Sequence, residues 1–168
     1  GRPCYEYNWF SRITADKVKF VDVDFSAYPV APAEHVEYCK VRFDESAVWK
    51  GKFHSTARII KYKDFEEHLS DVDVVIVLEA FSSLSRQFVK YWRENNKKVV
   101  VLVYELIAIH PLYYLPTHIF NRLHTIRYAD LFVCVSHKAA ESLLQLGAPP
   151  EKVKVVYPGI DLSLFKPA

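Results

Sequence analysis

Apolar positions in the second half of the chain recur in a strand–helix rhythm. Val72 to Leu78 (VDVVIVL) is nearly continuous in β-branched and aliphatic residues, the pattern of a strand buried on both faces of a parallel sheet. Ser82 or Ser83 then caps a helix with Leu84, Phe88, Val89, Tyr91 and Trp92 on one side. Asn95-Asn96 offers it a left-handed stop. Lys98 to Val103 (KVVVLV) predicts a second buried strand, and Tyr104 to Leu115 has no clear period. Pro116 and Thr117 open a helix with a predicted apolar stripe of Ile119, Phe120, Leu123 and Ile126. Leu131 to Val135 predicts a third strand, and Ser136 caps a helix facing inward through Ala140, Leu143 and Leu144. Gly147 suits its left-handed end, Pro149-Pro150 prevents continuation, and Lys152 to Val156 predicts a fourth strand. Strands alternating with one-sided helices predict an α/β fold, a doubly wound and mainly parallel sheet flanked by helices with right-handed crossovers.

The first 70 residues are less regular. Val18 to Phe25 predicts a strand, and Val36 to Phe43 alternates as one nearer an edge, with Pro29 and Pro32 between them. Asp64 with Glu67 three residues on predicts a capping box for a short helix to Leu69. Residues 3 to 14 can be written as a helix.

In an open parallel sheet, ligands gather outside the carboxyl ends of the strands. Glu79, Glu105, Ser136 with His137, and Pro158-Gly159 all follow predicted strands. A carboxylate straight after a buried strand is partly desolvated and can bind hydroxyls or act as a base. Glu79 reads equally as an acid at a helix N-terminus. Glu105 opens a long loop, where function is the stronger reading and capping or pairing with Arg122 or Arg127 the plainer one. His110 in that loop suits a sugar hydroxyl or phosphate contact as well as packing. Asp22 and Asp24 share a strand face, which solvation explains better than a metal, and no His pair has zinc spacing.

Composition narrows the classes. The chain has 168 residues, 51% hydrophobic, which suits one domain with its own core. A net charge of +2 argues against a nucleic-acid coat, while a local basic patch remains open. Only four glycines occur, so neither GxGxxG nor GxxxxGK[ST] can be written, against an NAD-binding domain and a P-loop enzyme. Cys4, Cys39 and Cys134 are odd in number and widely spaced, which suits a reducing compartment. Cys134 reads as apolar filler. The chain has no methionine and starts at Gly1, as a fragment of a longer protein would.

Tyr128 to Pro167 carries a more specific combination. Ala129-Asp130 precedes a strand, Ser136 follows it, and a helix ends at Gly147. Pro149, Lys152-Val153 and Pro158-Gly159-Ile160-Asp161 come next, with Phe165 and Pro167 closing the stretch. This resembles the end of the N-terminal domain of family-4 glycosyltransferases, which have the two-domain GT-B architecture. The resemblance reaches back with less force to about Asp71, including Glu105. It implies that residues 1–168 form one Rossmann-like, acceptor-side domain, with Pro158, Gly159 and Asp161 leading into the interdomain linker. It further implies a second domain that holds a nucleotide-sugar donor through a paired-glutamate motif, retaining transfer, and usually no divalent metal. On that reading the chain holds no cofactor of its own and is inactive alone. Its partners are a sugar or lipid-linked acceptor and its own C-terminal domain, and not nucleic acid. The setting is cytoplasmic, with peripheral contact at the inner membrane face left open. Glu105, His110, Glu79 and Ser136 are the acceptor-side candidates, and no catalytic residue is assigned. Two departures stand out: the family's opening Gly-rich loop has no counterpart beyond Gly1-Arg2, and Pro158 replaces the asparagine common before the motif's glycine. A non-catalytic binding domain and half of a GT-B epimerase are the alternatives.

Overall fold

A computed structural model of the chain describes residues 14–22, 35–43, 61–108 and 116–159. Its centre is a four-stranded parallel sheet of β5 (Val74–Leu78), β6 (Lys98–Val103), β7 (Leu131–Cys134) and β8 (Val153–Val155), paired in that order. Helices α2 (Ser83–Glu94), α3 (Pro116–Tyr128) and α4 (His137–Gln145) form the three connections. The fold is α/β and Rossmann-like. Before it come a parallel pair, β1 (Val18–Asp22) with β2 (Val36–Lys40), a short antiparallel pair, β3 (Arg42–Phe43) with β4 (Tyr62–Lys63), and helix α1 (Phe65–Leu69). The expected strand over 36–43 is thus two strands with different partners. The proposed helix over 3 to 14 lies almost wholly outside the described residues, as does Asp24.

Strand pleating explains the core. Val77, Val99, Val101, Val103, Phe132 and Cys134 alternate onto one face and are buried against Phe88, Val89 and Trp92 of α2, Ile126 of α3, and Ala139, Ala140 and Leu143 of α4. The aromatic ring of Phe65 packs on Phe88, Tyr91 and Trp92, which adds α1 to the same core. β6 is interior to the sheet, and five of its six residues are at least partly buried, as its composition predicts. β5 differs from expectation. Val74, Ile76 and Leu78 remain 40–48% exposed, because β5 is the margin of this sheet and no described helix covers that face.

Local signals mostly act as read. Ser82 Oγ accepts the Leu84 N–H, and Asn96 ends α2 at φ 60°. Gly147 sits at φ 91° just beyond α4, where a side chain would be strained although open space surrounds the position its Cβ would take. Asp130 couples β7 to β6, because its carboxylate accepts the Val99 N–H at 2.9 Å. The capping box does not form: Asp64 has φ 63° and makes no cap bond, and its carboxylate instead takes the Arg42 Nε–H at 2.7 Å. An ion pair to a neighbouring strand competes directly with the cap for the same oxygens.

The larger departure is α3. The predicted stripe of Ile119, Phe120 and Leu123 faces outward, 36–57% exposed. The buried face is His118, Asn121, Arg122, Thr125 and Ile126. Only Ile126 of the expected stripe is inside.

Candidate functional site

β5 and β6 pair in register from Val74 opposite Lys98 to Leu78 opposite Leu102, so their carboxyl ends lie side by side. Glu79 leaves β5 with φ 63°, a left-handed conformation that costs a residue with a Cβ about 1–2 kcal/mol. Its N–H donates to the Leu102 carbonyl at 2.9 Å, and its Oε1 accepts the Tyr104 N–H at 3.1 Å. The side chain therefore reaches the end of β6, where the loop that carries Glu105 begins.

Glu79, Glu105 and Arg122 line one cavity of about 10 Å³, together with Phe81, Val103, Ser142 and Leu143. That is room for a single water. Glu79 Oε2 and Ser142 Oγ are buried there without a hydrogen-bond partner among the described residues. Burial pushes the Glu79 carboxyl up from an ordinary 4.5 to about 7. The Tyr104 N–H opposes the rise, the Glu105 charge adds to it, and the Glu105 N–H and Arg122 guanidinium oppose it. A carboxyl held there exchanges a proton near neutral pH.

α3 supplies the other side. Asn121 Nδ2 donates to the Phe81 carbonyl at 3.3 Å, and His118 Nδ1 lies 3.4 Å from the same oxygen. The His118 ring packs edge-on to Phe81, with centroids 5.7 Å apart. The polar inner face of α3 divides between two partners: Asn121 and His118 meet the Phe81 carbonyl, and Arg122 stands among the cavity residues with Glu79 and Glu105.

Glu79 and Glu105 thus come together as sequence placement suggested. Ser136 also follows its strand, yet its Oγ accepts the Ala139 N–H at 3.1 Å as the cap of α4. It does not line the cavity. Pro158 and Gly159 are exposed beyond β8, while His110 and Asp161 lie outside the described residues. Sequence reading gave Arg122 only as a pairing partner and did not single out Asn121. The signal was present, since His118, Asn121, Arg122 and Thr125 fall at i, i+3, i+4 and i+7. Cys134 is fully buried, and burial first, then the Glu79 charge, raises its thiol to about 11. It is a poor nucleophile at neutral pH. Among the described residues no three His, Cys, Asp or Glu side chains converge as a metal site, and no helix is long and apolar enough to cross a membrane.

The sequence model of Glycosyltransferase Family 4 matches residues 21–164. No curated protein matches the chain. Among solved structures, the crystal structure of Anabaena Alr3699/HepE in complex with UDP is similar at 16% identity and a TM-score of 0.49. The match covers 60% of this chain and 27% of the HepE chain, so the chain spans about a quarter of that structure's length.

Proposed function

The chain belongs to glycosyltransferase family 4, and from that membership we propose that it is the acceptor-side domain of a two-domain GT-B enzyme. The enzyme moves a sugar from a nucleotide-sugar donor to a hydroxyl of a glycan, lipid or small-molecule acceptor, with retained configuration. The donor belongs to the second domain, beyond Pro158, Gly159 and Asp161. The observation that carries this reading is the pairing of Glu105 with Glu79 at the carboxyl end of an interior strand.

The residues divide the work by position. The cavity behind Glu79 takes a water and not a sugar, so the acceptor approaches from the loop side, where Leu106 and Ile107 are exposed. Glu105 accepts a hydrogen bond from the acceptor hydroxyl. Glu79 holds the Tyr104 N–H and so fixes where that loop begins. Arg122 balances the charge of the two carboxyls.

The test is nucleotide release by the full-length protein across a panel of nucleotide sugars and acceptors. Glu105→Gln lowers transfer at least about tenfold, roughly 1.4 kcal/mol of transition-state stabilisation, while the melting temperature stays within a few degrees. Unchanged transfer, or destabilisation in place of lost transfer, removes Glu105 from the acceptor site.

A further inference from the structure

Ser142 is the one polar side chain among the buried residues of α4, where Ala139, Ala140 and Leu143 are the others. It is 3% exposed, and packing alone asks only for an alanine at that position. A serine inside a helix commonly returns its hydroxyl to the carbonyl one turn back. Ser142 Oγ makes no such bond and has no partner among the described residues. It borders the same cavity as Glu79, whose two oxygens are placed differently. Oε1 holds the Tyr104 N–H at 3.1 Å, while Oε2 is buried and unpartnered. Two stranded oxygens thus border a space of about 10 Å³, enough for one water and too small for a sugar. Buried polar groups of this kind are costly unless paired, and an ordered water is the partner that fits.

We propose that this cavity binds one structural water bridging Glu79 Oε2 to Ser142 Oγ, and that through it Ser142 is a positioning residue for the loop that carries Glu105. The site suits a carboxyl that changes its protonation. With Glu79 ionised, the water donates to Oε2 and accepts from the Ser142 hydroxyl. With Glu79 protonated, the carboxyl donates to the water and the water donates to Ser142 Oγ. A water and a hydroxyl each donate or accept, so the chain of bonds reverses without moving a heavy atom. Oε1 keeps the Tyr104 N–H in both states, and the start of the loop stays in place.

The other groups facing Glu79 are the Glu105 charge and the Tyr104 N–H from that loop, the Arg122 guanidinium from α3, and the Cys134 thiol from β7. α4 brings no charge to the cavity, only Ser142 and Leu143, with Leu146 just beyond its end. Among them Ser142 supplies the neutral oxygen that both gives and takes a hydrogen bond. The role given to the loop rests on the acceptor-side reading of Glu105, but the water site does not. Its test contains neither donor nor acceptor, so its failure and the failure of that reading are separate results.

Crystal structures of the protein at about pH 8 and about pH 5 test the site directly, because these values lie on either side of the Glu79 midpoint at about 7. One ordered water in contact with both Glu79 and Ser142 is expected at each. Titration by nuclear magnetic resonance, with glutamate labelled at its carboxyl carbon, tests the coupling. Ser142→Ala leaves room for the water and removes its anchor, while Ser142→Val fills the cavity. An ionised carboxyl loses more than a neutral one when a hydrogen-bond donor is taken away. The Glu79 midpoint therefore rises by about half a pH unit in Ser142→Ala and by at least about one in Ser142→Val, a tenfold change in proton affinity. The variants are independent, so one that failed to fold would leave the other to decide. A water missing at either pH, or a Glu79 midpoint that a folded variant leaves unchanged or lowers, overturns the inference. So does a Ser142 hydroxyl bonded to the Lys138 carbonyl, which would make it an ordinary helical serine.

Discussion

Glu79 combines a left-handed backbone with a buried carboxyl, and both are costs that the rest of the fold must carry. Its folded pKa, about 7, lies above the ordinary 4.5, so the native state holds the proton more tightly than the unfolded chain does. Stability from this group is therefore present at low pH and is lost as pH rises from about 4.5 through 7. The full loss above that window is on the order of 2 kcal/mol after allowing for partial exposure. Glu79→Gln keeps an oxygen for the Tyr104 N–H and removes the charge. The variant should melt about 4 °C higher than the parent at pH 8 and nearly alike at pH 5. Melting curves that shift equally at both pH values would mean that Glu79 is ionised throughout and its neighbours fully compensate the charge.

At the scale of elements, α4 shows how a residue at a ligand-binding edge can be structural. Ser136 follows β7 at the carboxyl edge, but its hydroxyl is engaged with the Ala139 N–H. Ser136→Ala should cost about 1 kcal/mol and lower the melting temperature by about 3 °C, and Ser136→Asp should restore it. Lost transfer in Ser136→Ala at an unchanged melting temperature would return this hydroxyl to the acceptor. The same scale shows what was legible in the sequence. The bounds of β6, α2 and α4 were readable to within a residue or two, because caps, Asn96 and Gly147 agree with the apolar pattern, although Leu144 of the expected inner face of α4 is exposed and Ser142 is buried in its place. α3 was readable as a helix but not as to which side faces in. Hydrophobic periodicity assumes that the neighbour is apolar, and here His118 and Asn121 meet the Phe81 carbonyl while Arg122 joins the cavity of Glu79 and Glu105. Asp64 misled for a related reason: Arg42, a distant residue in sequence, took the oxygens that a local cap needs. Glu79 and Glu105 were legible as a pair because placement after adjacent parallel strands depends on topology alone. Their union with Arg122 needed the orientation of α3.

At the scale of the whole molecule, the charge at the carboxyl edge decides which ligands suit this chain. A nucleoside diphosphate brings about two negative charges and needs backbone N–H groups or cations that converge on phosphate. The chain's four glycines allow none of the familiar phosphate loops. At the described edge, Glu79 and Glu105 share one cation, Arg122, which is only 8% exposed and stands among the cavity residues. Like charge disfavours phosphate there, while a sugar hydroxyl can donate to Glu105 from the loop side. Calorimetry of this chain with UDP- and GDP-sugars should therefore show no saturable heat up to about 1 mM, a binding free energy weaker than about 4 kcal/mol. The Glu105→Gln variant should behave the same way, because its carboxylate is not what a donor domain would supply. Micromolar binding of a nucleotide sugar to the chain would reverse the assignment of donor and acceptor sides. Micromolar binding to Glu105→Gln but not to the parent would instead mean that a phosphate site exists and that the Glu105 charge alone keeps it closed.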